Sequence, residues 1–190
     1  SWVVVAHLNA AGRLGQPELA AKLFITDSQN ERLETAKQII ELNAERKQLC
    51  VDAWNYAGIQ AKASIPLHSN KLCVVIDERI NRGVSGILAG RLVSTYNVPA
   101  MTVTIVDGIA IGSMRSCRDY DVTQFLNKMD DLFINHGGHN FAAGFSFKRE
   151  RLAEFEERIK TLSSEIKLGD TKDTGGDIDA EIPAQYLTPA

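Results

Sequence analysis

Gly137-Gly138-His139-Asn140-Phe141-Ala142-Ala143-Gly144 packs three glycines, two alanines and one histidine into eight residues, shortly after the apolar run Leu132-Phe133-Ile134. Glycine reaches positive φ and lets a ligand approach the backbone closely. The small residues followed by Phe145-Ser146-Phe147 predict a turn, a short helical turn and then a strand. A helix N-terminus in that place would aim free N–H groups at an anion. His139 would stand at its mouth, donating to a phosphate oxygen or shuttling a proton. The plainer alternative is a tight turn that carries a surface histidine.

Upstream, Ala100 to Val106 alternates and is rich in β-branched residues, which reads as a strand. Asp107-Gly108 is a hairpin turn signal, so Ile109 to Ser116 is the returning strand. Period two puts Ser113 and Arg115 on one face of it. A hydroxyl and a guanidinium side by side can clamp a terminal phosphate; the alternative is an ordinary surface strand end. Lys71 to Ile76 reads as a buried strand, and Val84 to Tyr96 as a helix with Val84, Ile87, Leu88, Arg91 and Leu92 on one side. Gly86 and Gly90 in that helix suit close packing. Asp121 to Met129 and Arg149 to about Ile166 predict two further helices, the second with Leu152, Phe155, Ile159 and Leu162 inward. This order of elements predicts an α/β fold with a mixed sheet flanked by helices.

Toward the N-terminus, His7 to Gly15 reads as a loop holding Arg13, and Pro17 opens a short helix. Arg13 is either a surface residue or a phosphate ligand, because its planar fork matches phosphate oxygens. Ser28-Gln29-Asn30-Glu31 has the form of a capping box. A long helix from Gln29 to about Ala57 should follow, with a seam of Leu33, Ala36, Ile40, Asn43, Lys47, Cys50, Trp54 and Ala57. Such a helix is a connector between two lobes, or one side of a coiled coil. Beyond Gly169, Asp170 to Asp179 is a polar linker, and Asp177 to Ile182 alternates like the first strand of another unit. Ser1 looks like a cut inside a folded element.

The 190 residues are 44% hydrophobic and 24% charged, the profile of a soluble globular protein. No apolar run approaches the roughly 18 residues of a membrane span. Cys50, Cys73 and Cys117 are odd in number and widely spaced, which argues against a zinc site or disulfides and for a reducing, cytoplasmic compartment. The net charge of −3 counts against a broad basic surface. Between Lys71 and Arg118, however, six cations (Lys71, Arg79, Arg82, Arg91, Arg115, Arg118) face only Asp77, Glu78 and Asp107, so a local cationic groove is compatible with an acidic chain.

The GGHNFAAG segment resembles the GGHxxAAG signature of the DHHA1 domain, which follows a DHH phosphoesterase domain in a superfamily of metal-dependent phosphodiesterases. NAAGRLG, GVSGILAGRL, GSMRS and the alternating IDAEI add a resemblance to the RecJ-type 5′→3′ single-stranded-DNA exonucleases. The resemblance implies a division into a tail of the DHH-type lobe (1–27), a connecting helix (28–62), a DHHA1 domain (63–168), and a linker with the first strand of an OB-type domain (169–190). It implies Mn²⁺ or Mg²⁺ held by residues outside this chain, because the sequence has no Asp-His-His and His7, His68, His136 and His139 lack a two-metal setting. No metal ligand is assigned within the chain.

The resemblance further implies that Ser113 and Arg115 receive the 5′ phosphate and that His139 faces the metals and the scissile phosphate. Gly137, Gly138, Ala142, Ala143 and Gly144 would permit close approach of the nucleotide, and Arg13 would steer the backbone. Arg79-Ile80-Asn81-Arg82 stands where the family often has Trp or His, which puts a stacking role there in doubt. The implied partner is single-stranded DNA with a 5′ phosphate, alongside repair proteins; the chain would be a monomer, and alone it would be inactive. The competing readings are a nano-RNase or cyclic-dinucleotide phosphodiesterase, and a non-catalytic nucleic-acid or tRNA-binding module like the tail of alanyl-tRNA synthetase.

Overall fold

A computed structural model describes residues 2–170. The predicted alternating segment pairs as expected: Ala100–Val106 (β2) runs antiparallel to Ile109–Arg115 (β3). Asp107 at φ 50° and Gly108 at φ 76° make the tight turn whose twist suits a hairpin. Cys73–Ile76 (β1) adds in parallel to β2, while Asn135–His139 (β4) and Ala142–Lys148 (β5) extend the far side. The strand order is β1-β2-β3-β5-β4, the mixed sheet the element order predicts.

The glycine motif departs from expectation. Gly137-Gly138-His139 is the end of β4, Ala142-Ala143-Gly144 opens β5, and only Asn140 and Phe141 form the turn. No helix begins there. The cause lies further along: Ala143, Phe145 and Phe147 drive one face of β5 into the core, so the whole segment is drawn into the ladder. The tip is tied down as well, since Ser116 N–H donates to Phe141 O and Val122 N–H to Asn140 O, both at 3.0 Å. Gly138 is required at its place: its φ is 149°, and an added Cβ would lie 2.3 Å from Ala142 O.

Two helical layers cover the sheet. On one face Met101, Met114, Phe145 and Phe147 pack against Val122–Asn127 (α5) and Leu152–Ser164 (α6), with the Phe147 and Phe155 rings stacked at 4.6 Å. On the other, Cys73, Val75 and Ala100 meet the long helix Gln29–Leu67 (α3) and Arg82–Tyr96 (α4). Burial pushes the Cys73 thiol up to about 11, as suits a small hydrophobe. Asn97 closes α4 in the left-handed conformation at φ 53°.

Helix α3 outruns its expected end at Ala57, reaching 39 residues, about 58 Å at 1.5 Å per residue. Ala53, Ala57 and Ala61 are buried against the sheet, and this packing carries the helix through Gly58. Pro66 falls in the last turn, and the helix ends one residue after it. The seam also differs from the expected one. Thr35, Ile39 and Leu42 are buried while Leu33 and Ile40 are more than half exposed. The first half of α3 packs on other helices and the second half on the sheet and α4, so no single stripe serves both. Ser28 Oγ caps Glu31 N–H as predicted, but the Glu31 carboxylate turns to Thr26 Oγ1 instead of closing the box.

The expected loop over His7–Gly15 is a helix, Trp2–Arg13 (α1), followed by a turn at Gly15 (φ 78°) and by Pro17–Ile25 (α2). Ala10 and Ala11 are fully buried beside Leu42 of α3, which supplies the stability that local propensity lacks. The expected linker and strand beyond Asp170 lie outside the described residues. Among the described residues no helix is long and apolar enough to cross a membrane.

Two substitutions test this packing. Ser64 Oγ accepts from Val74 N–H at 2.9 Å and donates to Ala61 O at 3.1 Å, joining α3 to β1 inside the core. Ser64→Ala leaves the buried Val74 N–H unpaired and should cost about 1–3 kcal/mol in urea unfolding. Gly112 lies under the Phe145 ring, where an added Cβ would meet Cζ at 2.1 Å. Gly112→Ala should cost about 1–3 kcal/mol through overpacking, measured the same way.

Candidate functional site

In an antiparallel ladder, directly opposed residues share a face. Arg115 opposes Ala142, and Ala142 opposes His139; one step along, Ser113 opposes Gly144, and Gly144 opposes Gly137. Arg115, Ser113 and His139 therefore stand on one face of the sheet, separated by a floor of Ala142, Gly144 and Gly137. At about 4.8 Å per strand, Arg115 and His139 are roughly 10 Å apart along the row. Gly144 and His139 are exposed, and Ala142 is half-buried. An open concavity of about 600 Å³ runs over this floor, with Ser113, Gly137, Gly144 and Ser146 among its lining residues. Gly138 and Ala143 oppose each other on the other face, and Ala143 belongs to the core, so the ladder does not bring these two to the floor.

Helix α4 walls one side. Thr102 is fully buried on β2, its hydroxyl 3.0 Å from both Ser85 O and Ser85 Oγ, and this polar tie fixes α4 on the sheet. Gly86, one residue on, faces Arg115 and Ser113. A Cβ there would stand 2.6 Å from Arg115 Nη2 and 3.6 Å from Ser113 Oγ. The absent side chain makes the room in which the guanidinium lies. Arg115 Nη1 donates to Met114 O at 2.9 Å. Burial first, and the Arg13 guanidinium second, pull the Arg115 pKa below its ordinary value. An arginine remains charged under such a shift.

Arg13 is the last residue of α1 rather than a loop residue. Its Nη1 donates to Gly83 O at 3.2 Å, and a Cβ on Gly83 would fall 2.0 Å from Arg13 O. Thus Arg13 reaches the start of α4, where Asn81 Oδ1 caps Gly83 N–H at 2.8 Å. Among the other cations of the Lys71–Arg118 region, Lys71 and Arg118 donate to the backbone carbonyls of Ser164 and Gly169. Arg79 is held on Asp77 at 2.7 Å, while Arg91 lies over the Trp54 ring with 3.9 Å between guanidinium carbon and centroid. Sequence reasoning missed the contact between Gly86 and Arg115. The Gly86-x-x-x-Gly90 spacing pointed to close packing, but nothing lies within 4 Å of a Cβ at Gly90.

The two neighbouring histidines do not act together. His136 opposes Phe145 on the core side of β4, and its Nε2 lies 2.8 Å from Asp130 Oδ1, a carboxylate partner not foreseen from the sequence. Among the described residues no group of three or more His, Cys, Asp or Glu side chains is placed to hold a metal ion. The groups that this face presents are a guanidinium, a hydroxyl and an imidazole, which are able to donate hydrogen bonds to an anion.

A DHHA1 domain matches residues 69–165. The single-stranded-DNA-specific exonuclease RecJ of Bacillus subtilis is 32% identical over 159 residues, which is 83% of this chain and 20% of that protein. The RecJ of Thermus thermophilus is 28% identical over 161 residues, 85% of this chain and 23% of that protein. The crystal structure of RecJ in complex with Mg²⁺ from Thermus thermophilus superposes with a TM-score of 0.76 at 28% identity, covering 87% of this chain and 26% of that one. An exonuclease RecJ bound to manganese gives 0.70 at 26% identity, with 86% and 40% covered. The chain spans under a third of the length of these curated relatives. A domain match that covers half the sequence, and a fold shared with solved relatives, make this chain a member of the DHHA1 domain family.

Proposed function

We propose that this chain is the substrate-gripping part of a RecJ-type 5′→3′ single-stranded-DNA exonuclease, with Mg²⁺ or Mn²⁺ held by residues outside it. One observation carries the reading: Ser113 and Arg115 share a sheet face, and the Arg115 row ends on His139 across a floor without bulky side chains. Arg115 and Ser113 hold the terminal phosphate through charge-assisted hydrogen bonds. The guanidinium is preset by its seat over Gly86, so little ordering is needed on binding. Gly144 and Gly137 let the first nucleotide lie against the backbone, and Gly138 and Ala143 shape the hairpin beneath it. His139 contacts the next phosphate from the hairpin end. Arg13 adds positive charge at the head of α4 and steers the strand in. Grip on a 5′ end then sets which phosphodiester is presented for hydrolysis, which accounts for digestion from one end.

Fluorescence anisotropy with 5′-phosphorylated and 5′-hydroxyl oligothymidylates tests this reading. The chain should prefer the phosphorylated end. Arg115→Ala should weaken that complex by about 2 kcal/mol, roughly thirtyfold, and abolish the preference. Equal affinity for both ends in the unsubstituted chain would sink the proposal. His139→Ala should weaken both complexes alike by about 1 kcal/mol, roughly fivefold, with the preference for a phosphate intact.

A further inference from the structure

Four arginines line one side of α4, and among the described residues none of them makes an ion pair. Arg115 rests on Met114 O and Arg13 on Gly83 O. Arg46, from α3, donates through Nε to Asn43 Oδ1 at 3.1 Å. Arg91 lies on Trp54. Of the other arginines, Arg79, Arg149, Arg151 and Arg158 each lie within 3 Å of a carboxylate oxygen, while Arg32 and Arg118 donate to backbone carbonyls away from α4. Four guanidiniums left on carbonyl, amide and ring partners keep their charge available to an outside anion.

They also form a series. Arg115 meets α4 at Gly86 and Arg13 meets it at Gly83. Arg13 and Arg46 flank a cleft of about 190 Å³ whose α4 wall is Ile87. Arg91 follows one turn on. Positions 83, 87 and 91 recur on one side of a helix and span about 12 Å at 1.5 Å per residue. The half-buried Cys50 thiol reports the convergence: burial raises its pKa, and the fields of Arg46, Arg13 and Arg91 act together against that rise. Of the residues that the spacing puts on one side of α4, Val84, Leu88 and Leu92 are buried, whereas Ile87 lines the cleft and Arg91 is exposed.

We propose that Arg46 and Arg91, continuing from Arg13, form a second anion site along the α3–α4 groove that holds the phosphodiester backbone of a single-stranded nucleic acid. The proposal rests on the reading of the chain as a nucleic-acid grip, and it adds a backbone track distinct from the terminal-phosphate pocket. Trp54 keeps the Arg91 guanidinium in place by cation–π contact.

The test measures the affinity of the 190-residue chain for a 5′-hydroxyl oligothymidylate over a range of salt concentrations. Each phosphate neutralised on a single strand contributes about 0.7 to the slope of log K against log salt. Arg46→Gln with Arg91→Gln should make that slope shallower by about 1.4 in a chain that still unfolds cooperatively. Arg46→Lys with Arg91→Lys, which keeps both charges, should retain most of the original slope. An unchanged slope in the glutamine variant would overturn the proposal, as would failure of the unsubstituted chain to bind the strand at low salt. Because the strand lacks a 5′ phosphate, failure of the terminal-phosphate reading appears separately, as equal affinity for the two kinds of end.

Discussion

The close seat of α4 on β2 and β3 is the constraint on which the rest of the molecule depends. Three contacts set it. The Thr102 hydroxyl meets Ser85 in the buried interface, Gly83 lies against the Arg13 carbonyl, and Gly86 lies under the Arg115 guanidinium. A Cβ at Gly83 would meet the Arg13 carbonyl oxygen at 2.0 Å, so α1 and α4 would have to separate, while a Cβ at Gly86 would displace the end of the Arg115 side chain from its seat. The Gly83 contact also fixes α1 on α4, and the seat over Gly86 aims the arginine into the open face.

The sheet is asymmetric as a result. Its α5–α6 side is filled by aromatic rings and closed. Its other side is covered by α3 and α4 over β1 to β3, and beyond β3 an open floor remains. The glycines and alanine of β5 and β4 give that floor its flatness. A surface of this kind binds by charge and hydrogen bonds at its rim, with the backbone as the contact plane.

Much of this architecture was legible residue by residue. Asp107-Gly108 between alternating segments announced the β2–β3 hairpin, because those two residues adopt the positive φ the turn needs. The same alternation implied that Ser113 and Arg115 share a face. The glycine motif misled, because glycine carries no strand preference of its own and the pull into the ladder came from Phe145 and Phe147. The helix over Trp2–Arg13 was also hidden, since its stability comes from Ala10 and Ala11 packing on α3 rather than from local propensity. The α3 seam was read half correctly for a related reason: its two halves answer to different partners.

Local patterning by itself determined the α/β class, the hairpin, the capped start of α3 and the identity of the phosphate-binding candidates, since each follows from dihedral preference or a short repeat. Only the tertiary structure decided that Gly86 makes room for Arg115, that His139 lies in the same cross-strand row, and that Arg46 and Arg91 converge beside Arg13. These are juxtapositions of residues far apart along the chain. They arise from register and helix docking, which burial of the two cores settles for the molecule as a whole.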